Sequence, residues 1–163
     1  MNAARAAFAG DPRFFFARRV ITRPAEAGGE DHEPCDPEAF AARARAGEFI
    51  LSWQAHGLGY GVPATIFDEI DQGRAVIVNL SRKVIPAAEE AFTSVVVIEI
   101  TAPPEVLARR LAARGRETEA EIADRLSREA PLSAGRAPIY RVTNDRALET
   151  VAAEFTALLR GLA

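Results

Sequence analysis

Two short apolar runs, Ala75–Val78 and Val95–Ile100, constrain this chain more than any other feature of its sequence. Each is rich in aliphatic side chains and bounded by turn or polar residues, as a strand buried on both faces should be. Ile139–Val142 would be a further, last strand. Between and after these runs the signals turn helical. Ala102-Pro103-Pro104-Glu105 opens one helix, and Ala147–Arg160 carries an apolar stripe at Leu148, Val151, Phe155, Leu158 and Leu159. Short buried strands alternating with helices predict an α/β fold with a parallel sheet flanked by helices.

The first half of the chain adds smaller units. Asn2–Ala9 reads as the tail of a helix that stops at Gly10-Asp11-Pro12. Phe14–Ile21 is apolar and aromatic enough for one strand, ended by Thr22-Arg23-Pro24. Asp36 as N-cap and Pro37 at the first helical position start a helix running to about Ala46. Glu48–Ala55 and Tyr60–Pro63 read as two strands around the Gly57-Leu58-Gly59 turn, and Ala64–Gln72 as a short helix closed by Gly73. Thr118 with Glu121 forms a capping box for one more helix. The 163 residues suit a single domain, 1–163, with an arginine-rich segment as an appendage.

Composition excludes several classes. The net charge of −3 argues against a broad nucleic-acid surface. No apolar run approaches the roughly 20 residues of a membrane helix, and the start lacks a signal-peptide pattern. Cys35 is the only cysteine, so no internal disulfide can form, and a cytoplasmic home is expected. Of the 20 basic residues Lys83 alone is lysine. A GC-rich genome accounts for that bias, but not for the clustering of Arg109, Arg110, Arg114, Arg116 and Arg125.

Arginine offers a planar fork of donors that matches phosphate oxygens in pairs. Arg110 and Arg114 share a helix face until Gly115 breaks it, and Arg125 in the following helix can point back at the same space. Two helices joined at a glycine and each offering arginine suit a lid over a polyphosphate; a solvated helix pair laced with Glu–Arg pairs looks the same, and in isolation would be the simpler reading. Arg23, Glu30, Asp31, His32, His56 and Tyr60 are types that hold phosphate, hydroxyls or metal-bound water, although each also suits a hairpin or a packed loop. Asn79, Ser81 and Arg82 follow the Ala75–Val78 strand, and ligands of open parallel sheets bind beyond the carboxyl ends of strands. A phosphate-cradling G-x-x-x-x-G-K-S/T loop is absent from the 163 residues.

In order and approximate spacing, Thr22-Arg23, Gly29-Glu30, Gly47-Glu48-Phe49, His56-Gly57-Leu58-Gly59-Tyr60-Gly61, the arginine lid and Val142-Thr143-Asn144-Asp145 resemble the guanylate kinase family. The resemblance spans nearly the whole chain from Phe14 onward. It departs from guanylate kinases proper at Leu51, where that family selects guanine with a carboxylate, and at Asn79 and Ser81, where it uses aspartate. No second arginine follows between Arg23 and Gly29. An apolar Leu51 would leave polar groups of guanine unpaired at about 1–3 kcal/mol each, so GMP is a poor acceptor. Arg18–Pro24, Gly28–His32, Tyr60–Pro63, Asn79–Arg82 and Ala102–Leu111 are most similar to the ribose 1,5-bisphosphate phosphokinases, guanylate-kinase relatives of phosphonate breakdown.

That resemblance implies transfer of the ATP γ-phosphoryl group to ribose 1,5-bisphosphate, giving 5-phosphoribosyl 1-diphosphate, with Mg²⁺ as the usual companion of ATP. It implies a P-loop-kinase-like sheet, a small acceptor-binding β part at about 23–75 and a lid at about 110–128. Arg110, Arg114 and Arg125 would close over the transferring group, and Arg23 and Tyr60 would hold the acceptor phosphate. Glu30, Asp31 and His32 would bind ribose hydroxyls or magnesium-bound water, and Asn79, Ser81 and Arg82 would complete the substrate side. Asn144 would lie near adenine and Arg116 on the nucleotide; no residue is assigned as a direct metal ligand. The expected partners are a phosphorylated sugar and ATP, not nucleic acid or membrane. The chain opens where such a protein finishes the helix after its phosphate loop. The expectation is therefore that Met1 is internal to that helix, that a first strand and the loop precede it, and that these residues alone are nearly inactive and fold poorly. Two alternatives remain: a guanylate-kinase-like binding module without catalysis, and a kinase for another nucleotide monophosphate.

Overall fold

The computed structural model describes residues 1–27, 30–114, 132 and 135–162. In chain order the first half contains α1 (Asn2–Ala7), β1 (Phe14–Phe16), β2 (Val20–Ile21), β3 (Glu33–Pro34), α2 (Pro37–Arg45), β4 (Phe49–Ala55), β5 (Leu58–Pro63) and α3 (Ile66–Asp71). The second half contains β6 (Ala75–Ile77), α4 (Ile85–Ala91), β7 (Val97–Thr101), α5 (Pro104–Arg114), β8 (Ile139–Thr143) and α6 (Leu148–Leu162).

β1 and β6 pair in parallel, Phe14 opposite Ala75 and Phe16 opposite Ile77. Alternation along both strands explains their uninterrupted apolar sequence. Phe14, Phe16, Ala75 and Ile77 meet one core with Ala4, Phe8, Val142, Val151, Phe155 and Leu159, whereas Phe15, Val76 and Val78 meet a second built on Ala17, Leu51, Val62, Ile66, Val84 and Ala88. A strand covered on both faces has no polar side to show.

The segment Phe14–Ile21, expected as one strand, is two strands in different sheets. Ala17 makes the last backbone bond to β6, donating to the Ile77 carbonyl at 2.9 Å. After Arg18 and Arg19 the chain joins a four-stranded sheet of order β3-β2-β5-β4, in which β2 runs antiparallel to β5 and parallel to β3. This sheet is a small β part beside the parallel pairs, with strands from Val20 to Pro63.

β7 and β8 form a second parallel pair, Val97 opposite Ile139 through Thr101 opposite Thr143. The single parallel sheet read from sequence is thus two parallel pairs. They share the first core, which Ile98 and Val142 enter, but β6 and β7 do not pair. Ile100 of β7 is 45% exposed. α4 was not anticipated. Its Pro86 reads as a breaker, yet in a first turn the missing N–H costs nothing. The Glu89 carboxylate of α4 accepts from the Ala137 N–H at 2.6 Å, which docks the approach to β8. The helix expected after Thr118 lies outside the described residues.

Candidate active site

Because β1 and β6 are parallel, the residues that follow them leave the sheet on the same side. Arg19 and Asn79 therefore emerge together, and Glu30 bridges them. The Arg19 Nε donates to the Glu30 carboxylate at 2.9 Å, and its Nη2 makes a second, shorter contact to the same oxygen. Asn79 Nδ2 donates to the other carboxylate oxygen at 2.6 Å. Arg19 lies two residues before Ile21, which pairs with Tyr60, so strand alternation puts its side chain on the Tyr60 face. Trp53 and Tyr60 are cross-strand partners in the β4–β5 hairpin, with rings stacked 5.3 Å apart and within 8° of parallel. The Arg19 guanidinium lies over both, 5.5 Å from the Trp53 ring centre and 5.0 Å from that of Tyr60. A cation over aromatic faces gains about 0.5–2 kcal/mol, more as water is excluded.

Asp31 and His32 sit on the neighbouring side of the same loop. Asp31 is ion-paired to Arg5 of α1 and to Arg18, whose Nε is 3.0 Å away. His32 is only 5% exposed. Its Nδ1 lies 3.0 Å from the Glu30 carbonyl and its Nε2 3.1 Å from the Arg23 carbonyl, so the ring clips together the two ends of the intervening loop. It faces backbone rather than an open pocket. Arg23 approaches that ring, Nη2 to Nδ1 at 3.4 Å, while its buried Nε has no hydrogen-bond partner among the described residues.

A second group gathers at the carboxyl ends of β7 and β8. Arg110 on α5 donates to the Asn144 carbonyl at 2.8 Å, and the Asn144 N–H donates to the Thr101 carbonyl at 2.6 Å. The structure thus brings together one arginine expected in the lid and the residue expected near adenine. Glu99 of β7 takes Arg141 at 2.8 Å and Arg82 at 3.4 Å, which ties the segment after β6 to the β7–β8 pair. Ser81 precedes the short 3₁₀ turn Arg82–Val84 that leads into α4. Arg114 ends α5, and its side chain is not among those described; Arg116 and Arg125 lie outside the described residues.

Arg19 and Trp53 carry the centre of the first group without having been singled out in the sequence. The Arg18–Pro24 segment was the available signal, but the contacts that define Arg19 come from a distant hairpin. Leu51, by contrast, is buried in the second core beside Val62 and Ile66. A hollow of about 490 Å³ lies between α2 and the β4–β5 hairpin, lined by Phe40, Ala44, Ser52 and Gly59 among others. It holds no cluster of charged side chains and is not the chemical centre. Among the described residues no group of three or more His, Cys, Asp or Glu could hold a metal, and no helix is long and apolar enough to cross a membrane.

No protein-family model matches the chain. It is 46% identical over 160 residues to the ribose 1,5-bisphosphate phosphokinase PhnN of Methylobacterium radiotolerans, covering 98% of this chain and 88% of that one. It is 49% identical over 144 residues to the protein of the same name from Brucella melitensis, covering 88% of this chain and 75% of that one. In three dimensions it resembles the guanylate kinase of Anaplasma phagocytophilum, with a TM-score of 0.71 and 23% identity over 98% of this chain and 80% of that one. The last likeness establishes a guanylate-kinase-like α/β fold. With nearly half its residues identical to the phosphokinases over almost its whole length, the chain belongs to the ribose 1,5-bisphosphate phosphokinase family.

Proposed function

We propose that the chain binds ribose 1,5-bisphosphate and takes part in transfer of the ATP γ-phosphoryl group to its 1-phosphate, yielding 5-phosphoribosyl 1-diphosphate and ADP in phosphonate catabolism. An oxygen of the acceptor phosphate bonds to the γ-phosphorus as the bridging bond to ADP breaks. The supporting observation is the Arg19–Glu30–Asn79 group over Trp53 and Tyr60, a ring-floored site at the strand ends built on a fixed guanidinium. The position where guanylate kinases place a base-selecting carboxylate holds Leu51, which is turned into the core. A sugar phosphate needs charge and hydroxyl contacts rather than base selection, and this set of side chains supplies them. Arg23 and Tyr60 face the acceptor phosphate in this reading. Arg110, with Arg114 and Arg125, closes over the transferring group, where positioning and charge neutralisation do most of the catalysis. Asn144 and Arg116 serve the nucleotide. Glu30 and Asp31 are both committed to arginines, so they do not fit as Mg²⁺ ligands, and no step is assigned through the ion.

The test is phosphoryl transfer by the protein as its own cell makes it, followed by ³¹P NMR with ATP, Mg²⁺ and ribose 1,5-bisphosphate. The diphosphate of 5-phosphoribosyl 1-diphosphate should appear, and GMP in place of the sugar should yield no GDP. Phosphorylation of GMP but not of the sugar would replace this reading by a nucleotide kinase. Failure to bind ATP, together with tight binding of a peptide, would replace it by a binding module.

A further inference from the structure

One edge of the Arg19 guanidinium, Nε with Nη2, is taken by Glu30. The other is not: Nη1 has no hydrogen-bond partner among the described residues, nor does the Tyr60 hydroxyl, on whose ring the guanidinium rests. The side chains of Arg19 and Glu30 are only 13% and 19% exposed, so this is a held cation rather than a mobile surface one. Glu30 and the two rings fix its plane, and what remains is a preset pair of donors at the carboxyl end of a parallel strand pair, where open α/β sheets take ligands. A planar pair of N–H groups beside a hydroxyl fits two oxygens of one phosphate. Arg23 stands at the other end of β2, four residues on. At roughly 3.3 Å per residue the two Cα atoms are separated by up to about 13 Å, a spacing from which the two forks can take phosphates at opposite ends of a pentose.

We propose that Arg19 is a specificity-determining residue that takes one phosphate of the acceptor on the free edge of its guanidinium, and so makes the site prefer a sugar carrying two phosphates over a sugar carrying one. This rests on the phosphokinase reading above and adds to it the residue that counts the phosphates. Glu30 orients the fork and, among the described residues, leaves half of it open.

Trp53 is the only tryptophan in the chain and lies under the same guanidinium, so its fluorescence reports occupancy of the site directly. The experiment titrates ribose 1,5-bisphosphate and ribose 5-phosphate into the wild-type chain, Arg19→Lys and Arg19→Ala, with a thermal melt of each. The wild type should bind the bisphosphate at least about tenfold more tightly than the monophosphate. Arg19→Lys, which keeps the charge and the Glu30 pair but loses the fork, should give up most of that ratio at an unchanged melting temperature. Arg19→Ala, if folded, should abolish the ratio. If Arg19→Lys keeps the wild-type ratio, Arg19 does not count phosphates and the proposal is overturned, while the phosphokinase reading stands. If the wild type binds neither sugar phosphate but binds GMP, that reading fails and the proposal with it.

Discussion

Gly61 shows how little room single residues leave around the small β part. A Cβ there would lie 2.8 Å from two atoms of the Phe49 ring. That ring cannot yield easily, because it stacks on Phe40 at 4.9 Å and is covered by Arg43, which Glu33 and Glu48 hold at 2.6 and 2.8 Å. The same two carboxylates, Glu33 foremost, raise the Arg43 guanidinium further above its ordinary range, so it stays charged at any working pH. Gly61→Ala should therefore cost about 1–3 kcal/mol, read from the denaturant midpoint. Gly59→Ala, whose nearest contact is 3.0 Å to the Phe40 ring, should cost less. His32 offers two roles that a single variant separates. As a candidate ligand it should affect acceptor binding when lost. As the buried clip of the loop it should mainly lower stability, by about 1–3 kcal/mol in His32→Ala, seen as an earlier thermal transition. An unchanged transition with weaker sugar binding would return it to the ligand role.

Among elements, α2 was the most legible. Asp36 caps it as its sequence suggests, Oδ1 accepting from the Ala39 N–H at 2.8 Å, with Pro37 in the first turn. Asp36→Ala should lower stability by about 0.5–2 kcal/mol in the same melt. The hairpin β4–β5 and the strands β6, β7 and β8 were equally readable, since apolar runs and the Gly57 turn are local signals. The division of Phe14–Ile21 into β1 and β2 was not. Both halves are apolar, and what separates them is the choice of partner, β6 for one and β5 for the other. α4 has no capping side chain to announce it, since Val84 stands at its N-cap. At the site, Glu30, Asn79 and Tyr60 could be picked out as polar or phosphate-binding types at turns and strand ends. Arg19 could not, because its role comes from Glu30, Trp53 and Tyr60, and no local pattern records contacts made through the fold.

For the whole molecule, two parallel pairs share one core, yet neither β6 nor β7 pairs with the other. Among the described residues these strand edges are unpaired, and with Ile100 exposed beside them they invite pairing between molecules. The 163-residue chain should self-associate as its concentration rises, measured by light scattering, and a monomer throughout would show that these edges are covered. The held cation, the aromatic floor and the missing base selector should together make an acceptor site for a phosphorylated sugar. Calorimetric titration of one protein sample with ribose 1,5-bisphosphate and with GMP tests it most directly. The sugar bisphosphate should bind at least about tenfold more tightly than GMP. GMP binding as tightly as the sugar, or more so, would contradict it.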